Sequence, residues 1–398
     1  MDANTLIVIL GIIIALLFNF SNGRSDASNA IATVVATRAI SPKYAVIIAS
    51  ICCLVGPFIY STAVAKTIGE GIIDISIITP LLLLTGLVGS IIWINFCVHY
   101  GIPVSSSHAL VGGLVGVGIM AGGIHAVSWP STDTLLTILY YSSIGFLVGS
   151  VFFLILCLIC HERNIIPYIL IGGLVGVIVV IPLLMILKVV EINGLIATLI
   201  FICVSPLLGL LVSYLFTIIL MRVASNIKYP SRLNKWFQRA QIFVSGFQAF
   251  SLGGNDAQNA MGIIIAILIS AHIVSPGSDL PVWVIVSSSL AISLGLLSCG
   301  WRVVKRLGTD ITHIRPYQGF SSSMSCGLIL SFMTMFGVPV STTHVASGSI
   351  MGTGIARGIG AIQWIPVWTM VTAWIITIPA TAIVSGICYV IVKLIFCI

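Results

Sequence analysis

From Ile165 to Leu187 the chain carries no charged side chain, and comparable apolar runs recur along its whole length. A helix needs about 20 apolar residues to cross the hydrocarbon core of a bilayer. Runs of that order fall near residues 5–21, 43–65, 77–98, 104–124, 134–160, 165–187, 194–221, 241–271, 281–301, 318–336, 338–357 and 366–396. Only 7% of the 398 residues are charged, against about 25% in a soluble domain. Disorder, which needs low hydrophobicity and dense charge, is excluded on the same ground. The expected fold is all-α and polytopic, with about twelve transmembrane helices and no room for a sizeable soluble domain. The first run, Leu6 to Leu17, has no basic residues ahead of it and reads as a span rather than a cleaved leader.

Charge is placed as well as scarce. The net charge of +7 suggests nucleic-acid binding only in a soluble protein. Here Arg222, Lys228, Arg232, Lys235 and Arg239 cluster without an acid, and Arg302, Lys305, Arg306 and Arg315 cluster around Asp310. Basic loops stay on the cytoplasmic side, and two spans separate these clusters, so both fit on one side. The ten cysteines lie mostly in apolar stretches, where a thiol behaves as a small hydrophobe.

The chain also repeats itself. Phe20 to Ala30 aligns without gaps with Phe250 to Ala260, with seven of eleven positions identical. Gly101-Ile-Pro-Val-Ser-Ser-Ser-His108 aligns with Gly337-Val-Pro-Val-Ser-Thr-Thr-His344. The two motifs are 82 residues apart in the first half and 88 in the second, counted from Asp26 to His108 and from Asp256 to His344. Matched interruptions of hydrophobic segments in two halves mark a secondary transporter whose site lies between repeats. The landmarks divide the chain into an N-terminal repeat (1–125), intervening helices (126–221), a basic cytoplasmic loop (222–240), a C-terminal repeat (241–357) and a terminal transmembrane helix (358–398).

In the first motif pair, Asp26 with Asn29 and Asp256 with Asn259 stand three residues apart, on one face of a helix. A carboxylate inside a membrane persists where a partner or a water-filled cavity compensates it. Gly23 and Gly253 suit an unwound backbone whose carbonyls join Asp and Asn oxygens around a small hard cation. The competing reading is structural, with Asp and Asn capping broken helices or bridging neighbours. In the second pair, Ser105, Ser106 and Ser107 match Ser341, Thr342 and Thr343, each run following a Gly-x-Pro break and leading into a small-residue helix. Hydroxyls and free N–H groups at a helix N-terminus cradle an oxyanion; ordinary capping and back-bonding to the helix are the alternative.

An oxyanion cannot enter beside two carboxylates in a low dielectric without cations to offset them. The two motif pairs together therefore predict a cation-coupled anion symporter. His108 and His344, which close the hydroxyl runs, read either as proton carriers or as packed hydrogen-bond partners.

The Gly-x-x-Asp-x-x-Asn-Ala pair and the Pro-Val-Ser-[Ser/Thr]-[Ser/Thr]-His pair resemble the PiT family of inorganic phosphate transporters, which includes bacterial low-affinity permeases and animal sodium–phosphate symporters. The resemblance runs from about residue 5 to 395 and covers four motifs in order. It implies two inverted repeats with broken or re-entrant helices, and import of inorganic phosphate across the plasma (inner) membrane with Na+ or H+. Carried over by position, Asp26, Asn29, Asp256 and Asn259 would bind the coupling cation. The six hydroxyls, with Ser25 and Asn255, would hold phosphate. The sequence departs from the family where Gly-x-[Asn or His]-Asp becomes Gly23-Arg24-Ser25-Asp26. Arg24 stands opposite Gly254 and reads as a gate, a phosphate contact or a side chain snorkelling to the interface.

Other readings rank lower. Sulfate or another tetrahedral oxyanion would suit the same hydroxyls, and an ion channel would use hydroxyl rings near the midplane. An enzyme is not expected, because the chain has neither a His/Glu metal-spacing motif nor a nucleophile elbow. No cofactor beyond the coupling cation and no nucleic-acid partner is expected; the lipid bilayer is the surroundings, and a homodimer is left open. Cys157-Leu-Ile-Cys160-His161 spells a haem-attachment pattern but reads as helix packing. The Gly-x-x-x-Gly spacings at 112/116 and 172/176 read as close helix contacts, and Trp129, Trp283, Trp364 and Trp368 as interface anchors.

Overall fold

The computed structural model describes residues 3–396 apart from 61–63, 66–71, 74–76, 160–164, 188, 190–193, 226–229 and 276. The described residues are mostly helical, and their one β pairing is an isolated bridge between Ile73 and Val127. In chain order the helices are α1 (Ala3–Ala36), α2 (Pro42–Val55), α3 (Pro80–His99), α4 (Ser106–Gly122), α5 (Thr132–Ile159), α6 (Ile165–Ile186) and α7 (Gly194–Ser225). Then come α8 (Pro230–Ser270), α9 (Val282–Leu297), α10 (Trp301–Lys305), α11 (Pro316–Met335), α12 (Thr342–Ile355) and α13 (Trp364–Phe396). Seven of these, α1, α3, α5, α6, α7, α8 and α13, are each long and apolar enough to cross a bilayer. The pair α9–α10, bent by 69° and continued by a π turn to Asp310, makes an eighth.

The breaks fall where the chemistry of the chain demands them. Pro42, Pro80 and Pro316 open helices at the position where a missing N–H costs nothing. Gly101 (φ 67°) and Gly337 (φ 71°) take left-handed conformations that end α3 and α11, and the Pro-Val segments after them stay extended. Each motif thus becomes a hairpin, α3–α4 and α11–α12, with its turn inside the protein. At 17 and 14 residues, α4 and α12 are too short to cross alone.

One expectation changes at this level. The presumed loop 222–240 is largely helical: residues 222–225 close α7, and α8 starts at Pro230 and runs 41 residues. Lys, Arg, Gln and Ala are good helix formers, so a basic stretch after an N1 proline extends the helix. Lys228 lies outside the described residues, as do Cys160 and His161 of the haem-like pattern.

The halves exchange partners. α1 packs on α9 from the second half, and α8 packs on α2 from the first. The same glycines do this on both sides. A Cβ at Gly23 would run into the Ile292 carbonyl, and one at Gly295 into the Phe20 carbonyl. In the matching pair, Gly253 faces the Cys53 carbonyl and Gly56 faces the Phe250 carbonyl. The hairpin α3–α4 is flanked by α13, and α11–α12 by α7. Gly112 and Gly116 admit the α13 backbone at Ile378 and Ala382, while Gly172 and Gly176 interlock with Gly149 and Gly145 of α5. Both Gly-x-x-x-Gly spacings are therefore helix contacts. Trp283 and Trp364 stand at the first turns of α9 and α13, half-exposed.

Candidate functional site

α1 and α8 are unbroken helices through their motifs. The expectation of unwound backbone at Gly23 and Gly253 is therefore corrected. These glycines bring a neighbouring helix into backbone contact and leave their own carbonyls in the helical ladder. The oxygens free to meet a ligand at this point are those of side chains.

The four motifs meet. Asp26 and Asp256, each 1% exposed, lie within hydrogen-bonding reach of each other. The Thr342 hydroxyl stands between them, 3.2 Å from Asp26 Oδ2 and 3.0 Å from Asp256 Oδ2. Asp26 is also approached by Thr343 Oγ1 (2.9 Å), Ser106 Oγ (3.2 Å) and Asn29 Nδ2 (3.0 Å). Asp256 accepts from Asn255 Nδ2 at 3.0 Å.

The bonds cross between repeats in a matched way. Asn29 donates to Thr343 at 3.0 Å, and its counterpart Asn259 donates to Ser107, the counterpart of Thr343, at 3.0 Å. Ser106 bonding Asp26 is likewise matched by Thr342 bonding Asp256. Such reciprocity is what a pseudo-two-fold relation between halves produces.

The leading serines cap helices. Ser105 caps α4 by accepting from the His108 N–H (3.3 Å), and Ser341 caps α12 by accepting from the His344 N–H (3.4 Å). Capping uses an oxygen lone pair and leaves the hydroxyl proton to donate. Each run therefore presents one capping hydroxyl and two that reach the carboxylates or amides. His108 and His344, both buried, bring their rings to 4.7 Å edge to face, and His344 lies 4.0 Å from the Trp374 ring.

Ser25, 2% exposed, is buried on the same helix as Asp26. Arg24 turns away from the carboxylates: two residues along a helix is about 200° around it. Its Nη1 meets Asn95 Oδ1 at 3.3 Å, and Asn95 in turn donates to Ser21 at 3.0 Å. The place of Arg24 in the second repeat, Gly254, is filled by the ring of Tyr60, whose hydroxyl bonds Ser331 at 2.6 Å.

Several polar neighbours are not flagged by the motifs. Gln248 donates to the Asn29 carbonyl (2.8 Å), Ser245 to the Ala30 carbonyl (2.7 Å), Thr33 meets Ser323 (2.8 Å) and Thr37 meets Gln241 (2.8 Å). They form a hydrophilic seam from the carboxylates toward the basic end of α8. The hint in the sequence is the recurrence of Thr and Gln at helical spacing inside apolar runs. Asn22, which receives the Ser106 hydroxyl, is a second omission.

Comparison with known proteins matches this arrangement to a family. A family model for the phosphate transporter family covers residues 22–169 and 166–385. The chain belongs to the phosphate transporter family. Among relatives, a probable low-affinity inorganic phosphate transporter of Rhizobium meliloti is 33% identical over 384 residues, 96% of each chain. One from Bacillus subtilis, described in the same words, is 31% identical across all of both chains. A solved structure described as a sodium-dependent phosphate transporter superposes with a TM-score of 0.69 at 26% identity, over 98% of this chain and 100% of the other. The transporter is a multi-pass integral protein of the plasma membrane, and its buried polar centre coincides with the motifs by which the sequence resembled that family.

Proposed function

We propose that this transporter imports inorganic phosphate by symport with Na+, alternating access around the Asp26–Asp256 centre between two inverted repeats. The observation that carries the reading is the shared Thr342 hydroxyl between two buried, adjacent carboxylates. Two carboxylates at such range repel each other and repel an anion unless a cation lies among them. Asp26, Asn29, Asp256 and Asn259 offer only oxygen ligands, which suit a small hard cation. Ser106, Ser107, Thr342 and Thr343, with the capping Ser105 and Ser341 and with Ser25, supply donors for phosphate, whereas the Asn255 amide, also expected to do so, donates to Asp256 and the Val340 carbonyl. The solved relative described as sodium-dependent supports Na+.

A second reading, coupling to protons, is favoured by the His108–His344 pair meeting across the repeats. Uptake of labelled phosphate into reconstituted vesicles separates the two. An inward Na+ gradient at equal pH should drive accumulation, and a pH gradient without Na+ should not. Accumulation driven by the pH gradient alone would transfer the coupling to protons, and equilibration indifferent to both gradients would end the symport reading.

A further inference from the structure

Asn22, Asp26 and Asn29 follow one another at i, i+4 and i+7 and line one face of α1. All three are buried to within 1%. Asn22 Oδ1 takes the Ser106 hydroxyl, and Asn22 Nδ2 has no hydrogen-bond partner among the described residues. At the other end of the row the pattern is reversed. Asn29 Nδ2 is spent on Asp26 and Thr343, while Asn29 Oδ1 has no partner. A buried amide N–H without an acceptor and a buried amide oxygen without a donor each cost desolvation energy. Their signs differ, and so do the partners that would satisfy them. A free N–H donor calls for an anion's oxygen, and a free carbonyl oxygen beside a carboxylate calls for a cation.

The second repeat does not share this arrangement. Leu252 stands where Asn22 stands in the first. Asn255 is used internally, donating to Asp256 (3.0 Å) and the Val340 carbonyl (3.1 Å) and accepting from Thr334 (3.3 Å). The donor side of the centre is therefore one-sided although the motifs are repeated.

We propose that Asn22 is a phosphate-binding residue, donating through Nδ2 at the Ser106 end of the site, and that the cation is held at the Asn29 end. The inference rests on the phosphate symport reading and deepens it. Ser106 links the two ends. Its hydroxyl has one proton, with Asn22 Oδ1 and Asp26 Oδ2 (3.2 Å) both in reach. A cation that takes over Asp26 releases that proton toward Asn22, so the anion end is set when the cation end is filled.

The test uses full-length protein in vesicles, with half-saturating phosphate and half-saturating Na+ measured separately. Asn22→Leu, which installs the residue of the second repeat at similar volume, should raise half-saturating phosphate about 10- to 100-fold, the effect of losing one hydrogen bond to a charged ligand. Half-saturating Na+, measured at saturating phosphate, should stay within about threefold. Asn29→Leu should show the opposite split. Asn22→Ser, smaller and polar, carries the same expectation should the leucine variant fail to insert. Unchanged half-saturating phosphate, or equal rises in both constants, would overturn the assignment. Wild-type vesicles that take up no phosphate would remove the transport reading and this inference together, whereas active wild type with an unaffected Asn22→Leu removes the inference alone.

Discussion

Asp26→Asn should bring cation-driven phosphate uptake to the level of empty vesicles, and Asp256→Asn should do the same, while both variants still reach the membrane. The amide keeps the shape of the carboxyl group and the packing around it but removes a negative charge. Four donors converge on Asp26, namely Thr342, Thr343, Ser106 and Asn29. An asparagine at that place turns one of its two acceptors into a donor and sets it against them. Each lost hydrogen bond to a charged group is worth about 1.5–3 kcal/mol, so loss of two gives at least about a hundredfold at 1.4 kcal/mol per factor of ten. Among the described residues Asp256 accepts from Asn255 and Thr342, yet its loss should be as severe, because on the symport reading one carboxylate alone no longer offsets the coupling cation. Initial uptake rates under an imposed Na+ gradient, normalised to protein recovered in the vesicles, give the measurement. Uptake near wild type in either variant would refute the site.

Gly23→Val should abolish recovery of folded protein, and Gly295→Val should match it. Overpacking usually costs about 1–3 kcal/mol because side chains shift to make room. At Gly23 the obstacle is the Ile292 carbonyl, and at Gly295 the Phe20 carbonyl, so backbone meets backbone. The two helices can accommodate a side chain only by separating, which displaces α1 from α9 and moves Asp26 away from the hydroxyls. Gly360→Ala makes the contrast: no atom lies within 4 Å of a Cβ there, and recovery should stay at the wild-type level. Size-exclusion chromatography after detergent extraction reads both outcomes; at least a tenfold loss of the monodisperse peak is expected for the valine variants, equivalent to about 1.4 kcal/mol.

Much of the centre was legible in the chain because the repeat doubles each signal. Asp26 and Asp256 sit at matched positions, and the reciprocal bonds Asn29–Thr343 and Asn259–Ser107 are the spatial form of that match. The same reliance on matching hides Asn22, whose counterpart Leu252 cannot mark it. Asn22 is visible only through helical spacing to Asp26 and Asn29, and that spacing requires α1 to stay wound at Gly23. Glycine in an apolar run suggested unwinding, but the helix is held by α9 pressing on it, a tertiary contact no local preference reports. That Ser105 and Ser341 are the capping members of their runs is equally invisible beforehand, since cap and ligand hydroxyls have the same residue types at the same spacing. The helical start of α8 was missed for a different reason: charge marks the side of the membrane, not the end of a helix.

The partnership of α13 with the α3–α4 hairpin bears on how the molecule is made. The hairpin α11–α12 docks on α7, which precedes it in the chain. The hairpin α3–α4 docks on a helix made more than 200 residues after it. At about 5–20 residues per second on the ribosome, Gly112 and Gly116 wait roughly 15–60 s for the backbone of α13 to arrive. Until α13 arrives the α3–α4 hairpin lacks that flank, although α1 already packs on α3, whereas α11–α12 finds α7 in place as soon as it is made. Translation must therefore reach α13 before the α3–α4 hairpin gains that flank, and a ribosome that stalls between α12 and α13 leaves a chain in which α11–α12 has α7 beside it and α3–α4 still lacks α13.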